Sequence, residues 1–207
     1  MMQQIVIPWR DSGCGYRLRS FNFLCDYYSK RYKIIIGDKS DSNGNFNRSG
    51  ARNDGVSKIT SDIAVVIDSD NYISYDQIDA AIEMAIQKNV LIKPNRKFGY
   101  VDEQSTAKFY DSTTSFKSIN FQGRPASFFP GGAYVIKKSL WDFVGGMDEE
   151  FIGYGAEDNA FHISCENKLG KTIWIEGFNY HLYHPSYRAT PKENLNRLKE
   201  VYKKDSK

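Results

Sequence analysis

The chain has 207 residues, 41% of them hydrophobic, which suffices for one well-buried core and is short for two independent domains. Its 28 Lys and Arg residues against 25 Asp and Glu give a net charge of +3. A charge this small indicates neither a nucleic-acid surface nor an anionic-membrane surface. We therefore expect a single domain over residues 1–207.

The three cysteines, Cys14, Cys25 and Cys165, are widely spaced and form no CxxC pair, so neither a disulfide framework nor a thiolate zinc site is expected. No apolar run reaches the length of about 20 residues that spans a bilayer, and the N-terminus has no signal-peptide pattern. Free thiols fit a reducing compartment. These features predict a cytoplasmic protein without a membrane span.

Four short apolar runs rich in β-branched residues lie in the first half of the chain. They cover residues 5–8, 34–36, 63–67 and 90–92. Continuous apolar runs are typical of parallel strands buried on both faces. Helical periodicity is clearest over residues 75–88, where Ser74 is the predicted cap and Gln77 its capping-box partner. The apolar face of that helix is expected to hold Ile78, Ile82, Ala85 and Ile86. The βαβα order predicts an α/β fold.

The second half of the chain, from about residue 95, has weaker periodicity. Residues 95–130 are rich in Ser, Thr, Phe, Gly and Asp, which predicts long loops or irregular strands. Further predicted elements are helices at 137–144 and 157–168 and strands at 172–176 and 179–183. A terminal helix is expected after the Thr190 cap, with Pro191 in its first turn and Glu193 as box partner. Its expected buried face holds Leu195, Leu198, Val201 and Tyr202.

The tripeptide Asp68-Ser69-Asp70 comes directly after the apolar run of residues 63–67. Its carboxylates are therefore expected at the carboxyl edge of a parallel sheet, where ligands of open α/β sheets bind. Carboxylate oxygens are the ligands that hard divalent cations prefer, and such a cation neutralises a diphosphate leaving group. Taken alone the tripeptide is also typical of a turn or a helix cap.

A predicted helix with Arg52 and Asn53 precedes this strand, and residues 49–70 together resemble the nucleotide-binding half of GT-A glycosyltransferases. Three further segments are similar to motifs of the β-1,4-galactosyltransferase family in the same order: 7–10 (IPWR), 46–48 (FNR) and 145–159 (GGMDEEFIGYGAEDN). The resemblance runs from about Ile5 to His184. It implies a GT-A fold: a Rossmann-like nucleotide-binding half at about 1–94, with a mixed, mostly parallel central sheet, and an acceptor half at about 95–207.

The resemblance also implies a site for the nucleotide sugar. In the family the proline-aromatic-arginine turn and the FNR arginine hold uridine and diphosphate, and the helix arginine and the first aspartate of DxD belong to the same site. The matching residues here are Pro8, Trp9, Arg10, Phe46, Arg48, Arg52 and Asp68. Arginine forks pair with phosphate oxygens, although Arg10 or Arg48 taken singly is equally typical of a solvated surface.

Two further sets of residues complete the expected donor site. Asp38 follows the second predicted strand and is expected to reach the nucleobase. Gly131 and Gly132, after Phe128-Phe129-Pro130, resemble the small-residue turn of the family's donor-sugar pocket, where backbone approaches the ligand closely.

The segment 153–159 carries two adjacent carboxylates, Glu157 and Asp158, at a predicted helix start. Helix starts favour carboxylates, so a cap is the alternative interpretation. In the resembled family this element supplies an aromatic platform, an acceptor-binding Glu and a catalytic base, which here are Tyr154, Glu157 and Asp158. The chain departs from the family by Tyr154 for Trp and Ala156 for Gly, and both departures concern the acceptor sugar more than the reaction.

Two of the three histidines, His181 and His184, lie close together after a predicted strand. Imidazoles three residues apart converge on one cation if the chain turns between them; otherwise they are ordinary strand histidines. The resemblance implies that His184 completes the metal site with Asp70, and that His181 stands where the family has a methionine ligand. The expected cofactor is Mn²⁺ or Mg²⁺. His162 is interpreted as structural.

These observations predict a metal-dependent glycosyltransferase that moves a sugar from a UDP-sugar to an unidentified acceptor hydroxyl with inversion of the anomeric carbon. The acceptor is left open among a glycan, a protein and a modified nucleobase, with a bacterial or phage origin expected. Three alternatives stay open. A retaining mechanism is one, because polypeptide N-acetylgalactosaminyltransferases share a related element. The others are a non-catalytic nucleotide- or glycan-binding module and a metal-dependent nucleotidyltransferase or phosphohydrolase.

Overall fold

Two β-sheets organise the computed structural model, which describes residues 2–111, 121–125, 130–185 and 190–204. The strands are β1 (Gln4–Pro8), β2 (Lys33–Gly37), β3 (Ile63–Ile67), β4 (Asn71–Tyr72), β5 (Ile92–Lys93), β6 (Lys97–Val101), β7 (Phe121–Pro125), β8 (Ala133–Lys137), β9 (Ile173–Trp174) and β10 (Phe178–His181). The helices are α1 (Gly15–Ser29), α2 (Arg48–Lys58), α3 (Tyr75–Gln87), α4 (Glu103–Phe109), α5 (Lys138–Val144), α6 (Glu157–Leu169) and α7 (Lys192–Lys204).

The central sheet has six strands in the order β2-β1-β3-β8-β5-β9. β1 runs parallel to β2 and β3, and β5 runs parallel to β9, whereas β8 is antiparallel to both of its neighbours. The expected mixed, mostly parallel sheet is therefore confirmed. The reversed strand of this sheet is β8, which begins directly after Gly132 and pairs with β3.

Helices cover both faces of the central sheet because its inner strands β1, β3 and β8 direct apolar side chains to both sides. Residues such as Ile5, Ile7 and Val65 pack with α1 and α3 on one side. Val6 and Val66 pack with α2, α5 and α6 on the other. β1 and β3 are buried along their whole length, as continuous apolar runs predict. The polar ends of these strands therefore lie at the rim of a rigid core.

The second sheet has the order β4-β10-β6-β7. β4 begins directly after Asp70, and β10 pairs with it in an antiparallel register that places His181 opposite Asn71. The end of the central sheet and the end of β10 thus meet at one point. No helix of the described ranges is long and apolar enough to cross a bilayer.

Several sequence-based expectations are corrected by this fold. β2 is an outer strand, so its middle residues are only partly buried and Ile36 is 37% exposed instead of buried. The strand predicted at 90–92 is β5, which begins at Ile92. Residues 95–130 contain the regular elements β6, α4 and β7, and α4 starts at an Asp102 cap that composition did not reveal.

Two predicted helix faces also differ. Ile86 is 59% exposed, because the packed face of α3 is carried by Ile78, Ala81 and Ala85. The Ser74 side chain caps α3 as expected, and its hydroxyl donates to the side-chain oxygen of Gln77 at 3.0 Å. The Gln77 amide nitrogen donates to the Pro94 and Phe178 carbonyls, so Gln77 partners the Ser74 hydroxyl and not the Ser74 N–H of a capping box.

In α7 the buried residue is Asn194, whereas Leu195 is 45% exposed. Leu198 and Val201 are partly buried, and the Tyr202 side chain lies outside the described residues.

Candidate active site

The Asp68-Ser69-Asp70 turn lies where the two sheets meet, and all three residues are buried. The Asp68 N–H donates to the Gly132 carbonyl at 2.9 Å, and the Leu182 N–H donates to the Asp70 carbonyl at 2.8 Å. These two backbone hydrogen bonds therefore fix the DSD turn between Gly132 and the residue that follows β10. The register of β4 and β10 explains why residues 110 positions apart in the chain converge here.

Asp70, His181 and His184 form a cluster whose potential ligand atoms all lie within 4.8 Å of one another. His184 Nε2 is 3.2 Å from one Asp70 carboxylate oxygen, and His181 Nε2 is 3.8 Å from the other. One carboxylate and two imidazoles are a donor set that suits Mn²⁺ and related divalent cations. These three side chains fit the metal that the sequence resemblance implied.

The electrostatics of the cluster favour the metal-binding forms of Asp70 and His181. Burial raises the pKa of Asp70, but the neighbouring His181, His184 and Arg17 outweigh it and hold the pKa far below its usual range. Burial lowers the pKa of His181 against the opposing charge of Asp70, which favours the neutral imidazole. An ionised carboxylate and a neutral imidazole are the forms that bind a cation.

Arg17 joins this cluster from α1 and was missed by sequence reasoning. Its guanidinium lies 3.8 Å from an Asp70 oxygen and 3.2 Å from His184 Nε2. Nothing in the local sequence marks it, because a basic residue in a helix is usually solvated and the partners come from the far end of the chain. Arg17 adds a positive charge at the rim of the cluster.

A second, larger network links the DSD turn to the Glu157-Asp158 pair through α2. Arg52 is fully buried, with guanidinium nitrogens 2.9 Å from Asp68 and 3.1 Å from Asp158. Arg48, one turn earlier on the same helix face, lies 3.1 Å from Glu157 and 3.5 Å from Asp68. Arg48 keeps 26% of its side chain exposed. Arg52 was expected in the nucleotide site, but it has no exposed surface and is engaged by carboxylates.

Glu157 and Asp158 begin α6 and differ in environment. Burial, and then the adjacent charge of Asp158, raise the pKa of Glu157. Burial acts in the same direction on Asp158, but Arg52, Arg48 and the Tyr134 hydroxyl that donates to it lower its pKa overall. The Asp158 side chain keeps 20% exposure against 2% for Glu157. The pair is thus split into an accessible ionised carboxylate and a buried one that takes a proton more readily.

The Glu157 carboxylate oxygens are buried without an aligned hydrogen bond from another described residue. Arg48 and Arg52 stand 3.1 and 3.8 Å from one of these oxygens, so the contact is an ion pair without hydrogen-bond geometry. A buried oxygen lacking a donor costs free energy. The Glu157 oxygens are therefore candidates for a hydrogen bond from a bound ligand.

The loop before α6 carries the exposed ring of Tyr154, which is 40% exposed with the Arg48 guanidinium 5.3 Å from its centre. Asn194 of α7 holds this loop. Its amide nitrogen donates to the Ile152 and Gly155 carbonyls at 3.0 and 2.9 Å, and its oxygen accepts from the Ile152 N–H at 3.1 Å. Sequence periodicity pointed to the neighbouring Leu195 and missed Asn194.

Ala156 at the start of α6 has φ +76°, the one described residue other than glycine with a positive φ. It stands where the resembled family has glycine. The left-handed conformation costs an alanine about 1–2 kcal/mol, and glycine would remove that cost. Glycine also makes the unfolded chain more flexible, which lowers the free energy of unfolding by about 0.4–1 kcal/mol. Ala156→Gly is therefore expected to raise the free energy of unfolding by about 0.5–1 kcal/mol in urea titrations.

Ala107→Gly is the matched control, because Ala107 is exposed within α4 and glycine is expected to cost about 1 kcal/mol there. Loss of stability in both variants would contradict strain at Ala156.

The remaining donor-site candidates lie at the carboxyl ends of β1 and β2. Trp9 stacks on Phe21 with ring centres 4.3 Å apart. Arg10 pairs with Asp38 at 2.7 Å and lies 5.7 Å from the centre of the Phe46 ring. Pro8 ends β1 beside them. Arg10, Asp38 and Phe46 thus form one partly exposed group, as the motif order suggested.

Gly131 and Gly132 form a turn that leaves no room for a side chain. A Cβ at Gly131 would stand 2.4 Å from an Asp158 oxygen, and one at Gly132 would stand 2.6 Å from the Asn179 amide. Gly132 also has φ +88°. Phe128 and Phe129, named with this turn in the sequence, lie outside the described residues. Close approach of the backbone to Asp158 explains the glycine at 131, and contact with Asn179 together with the positive φ explains the glycine at 132.

The α/β domain, with the candidate metal cluster of Asp70, His181 and His184 and the carboxylate pair of Glu157 and Asp158, has the architecture of a GT-A glycosyltransferase. The model of "Glycosyltransferase like family 2" matches residues 24–172, more than half of the chain, and the chain belongs to that family. The search of curated proteins found no sequence that matches the chain.

Solved structures with the same fold share little sequence with the chain. A Drosophila β1,4-galactosyltransferase 7 mutant in complex with manganese, UDP-Gal and xylobiose has a TM-score of 0.59 at 13% identity, covering 94% of this chain and 79% of that one. S. aureus TarS 1-349 has a TM-score of 0.61 at 13% identity, covering 99% and 65% respectively. These likenesses establish the fold.

Proposed function

We propose that the chain transfers a sugar from a UDP-sugar to an acceptor hydroxyl, with a divalent cation as cofactor and inversion at the anomeric carbon. The observation that carries the proposal is the placement of the Asp70-His181-His184 cluster and the Glu157-Asp158 pair on two sides of one turn. The Drosophila enzyme's complex with manganese and UDP-Gal supports the choice of cation and donor.

Asp70, His181 and His184 would hold Mn²⁺ or Mg²⁺. When bound, the cation neutralises the negative charge that develops on the departing diphosphate. Arg52 takes a positioning role, because its buried guanidinium ties Asp68 of the DSD turn to Asp158. Asp68 therefore orients the turn, and Asp70 would be the carboxylate ligand of the cation.

The uridine end of the donor is assigned to the group at the ends of β1 and β2. The Trp9 ring and the Phe46 ring offer aromatic surface, and Asp38 offers an acceptor for base N–H groups. The Arg10 guanidinium keeps 31% exposure beside Asp38 and is available to a phosphate oxygen. Pro8 ends β1 beside this group. The Gly131-Gly132 turn, whose backbone lies against Asp158, is assigned to the donor sugar.

Arg10→Ala is expected to weaken UDP binding by about 1.5 kcal/mol, the lower end for a charge-assisted hydrogen bond, because Arg10 is a third exposed. Isothermal titration calorimetry with UDP and Mn²⁺ measures the change. Arg96→Ala is the control, since Arg96 pairs with Glu176 at the exposed surface away from the site. Equal UDP affinity in wild type and Arg10→Ala would remove Arg10 from the donor site.

Asp158 is assigned as the general base. Its accessible carboxylate takes the proton of the acceptor hydroxyl while that oxygen bonds to the anomeric carbon and the bond to UDP breaks. Attack from the face opposite UDP inverts the anomeric centre. Glu157 accepts a hydrogen bond from another acceptor hydroxyl, and the exposed Tyr154 ring packs against the acceptor sugar.

The test of this function is a screen of UDP-sugars with Mn²⁺ against glycan, peptide and modified-nucleobase acceptors. Mass spectrometry detects a glycosylated product, and NMR of its anomeric proton gives the stereochemistry. The proposal expects UDP as the released nucleotide and an anomer opposite to that of the donor. A product with the donor's own anomeric configuration would replace inversion by a retaining mechanism, and release of UMP or pyrophosphate would replace sugar transfer altogether.

A further inference from the structure

A buried lysine lies behind the proposed catalytic carboxylate. Lys93 belongs to β5 and has no exposed surface. Its ammonium group donates to the carbonyls of Pro130, Gly131 and Ala133, so all three N–H bonds are directed at one turn. In the sequence, Lys93 directly follows the apolar run of residues 90–92 and carries no motif.

The turn that Lys93 holds is in contact with both halves of the proposed site. Gly131 leaves no space for a Cβ against Asp158, and the Gly132 carbonyl accepts from the Asp68 N–H. The next residue but one, Tyr134, donates its hydroxyl hydrogen to Asp158. A shift of the turn would therefore move the groups that orient Asp158.

Lys93 also balances the buried charges. Three carboxylates meet here, those of Asp68, Glu157 and Asp158, and α2 supplies two guanidinium groups. The side-chain nitrogen of Lys93 lies 4.1 Å from the centre of the Tyr134 ring, and its protonated form supplies a third cation. Burial lowers the pKa of Lys93 to about 7, against the opposing influence of Asp158 and Asp68. A buried ammonium is costly, whereas an aliphatic side chain would fill the same place at no such cost.

We propose that Lys93 is a positioning residue, which fixes the 130–133 turn so that Asp158 and Tyr134 are held in the geometry of the transfer reaction. The inference rests on the proposed role of Asp158 as base. It predicts that Lys93 affects the rate of transfer and leaves the binding of the uridine diphosphate alone, because the Arg10 group lies at the other end of the sheet's edge.

The experiment compares Lys93→Met, which keeps the length of the side chain without its charge or donors, with Lys93→Gln, which keeps two donors. Lys138→Met is the control, since Lys138 pairs with Asp142 near the surface. Expected results are a fall in kcat of about 10²-fold for Lys93→Met and a partial recovery for Lys93→Gln. The Kd for UDP with Mn²⁺ is expected to stay within about twofold in both, a split that general loss of structure does not produce.

A folded Lys93→Met with the kcat of wild type would overturn the inference. If Lys93→Met does not fold, Lys93→Gln decides by the same criterion. If wild type transfers sugar and Asp158→Asn does not, the proposed function stands. An active Lys93→Met would then refute only the positioning role of Lys93. If wild type transfers no sugar, crystal structures decide: the inference expects the 130–133 turn to move away from Asp158 in Lys93→Met, and an unmoved turn would contradict it.

Discussion

Asp158→Asn is expected to lower kcat by about 10²–10⁴-fold, the usual contribution of general-base catalysis, and to leave UDP affinity nearly unchanged. Asparagine has the shape of aspartate and still accepts hydrogen bonds from Arg52 and Tyr134, but it cannot take a proton from the acceptor. The effect is therefore expected in the chemical step. Steady-state kinetics and calorimetry with UDP measure the two quantities separately.

The pH dependence follows from the direction of the pKa shift. The charges of Arg52 and Arg48 and the Tyr134 hydrogen bond outweigh burial and lower the pKa of Asp158, so the folded carboxylate is ionised at neutral pH. Protonation as the pH falls through this lowered pKa removes the base. The acid limb due to Asp158 is thus expected below the usual pKa of an aspartate, and the stability that its ionised form contributes is lost over the same range.

Two variants serve as comparisons for Asp158→Asn. Glu157→Gln is expected to act mainly through the KM for the acceptor, because the buried Glu157 oxygens await a hydrogen-bond donor. Asp142→Asn removes a surface carboxylate that is 62% exposed and is expected to change neither quantity. If Asp158→Asn is active and Glu157→Gln is inactive, Glu157 is the base and Asp158 binds the acceptor. If both variants are active, the base is another residue.

Asp70→Ala is expected to abolish metal-dependent turnover, and excess EDTA is expected to do the same to wild type. Asp70 is the carboxylate of the cluster, and its oxygens face both imidazoles. Loss of residues that merely orient metal ligands typically costs 10–100-fold, so loss of a ligand is expected to cost more than about 10²-fold. Calorimetric titration with Mn²⁺ measures binding, and addition of Mn²⁺ after EDTA is expected to restore wild-type activity.

His181→Met is the matched variant for the cluster. The resembled family carries methionine at this position, so the variant is expected to stay active and to shift the preference among divalent cations. Asp142→Ala, at the exposed surface, controls for the loss of a carboxylate. Full activity of wild type in excess EDTA, or of Asp70→Ala with Mn²⁺, would contradict the metal site.

Local sequence signals were sufficient for the parts of the fold that depend on local chemistry. Continuous apolar runs predicted β1 and β3, and side-chain caps predicted the start of α3. The DSD turn was located because a buried strand must end in polar residues at the sheet edge. The motif resemblance added the residues of the carboxylate pair and the histidine pair.

What the sequence could not provide depends on contacts between distant segments. The pairing of β10 with β4, which brings His181 beside Asp70, joins positions more than 100 residues apart. Arg17, Lys93 and Asn194 are polar residues whose roles come from their partners, and none has a local signal. The exposure of Ile36 and Ile86 likewise depends on the neighbours of each element. β2 lies at the edge of the sheet, and α3 packs on the sheet through a different face.

The central claim is tested most directly without knowledge of the acceptor, by incubating the protein with UDP-sugars and Mn²⁺ and identifying the nucleotide released by slow donor hydrolysis. The expected result is release of UDP with at least one donor, dependent on Mn²⁺ and absent in Asp70→Ala. Release of UMP, or release of UDP that is equal in EDTA, would contradict a metal-dependent glycosyltransferase.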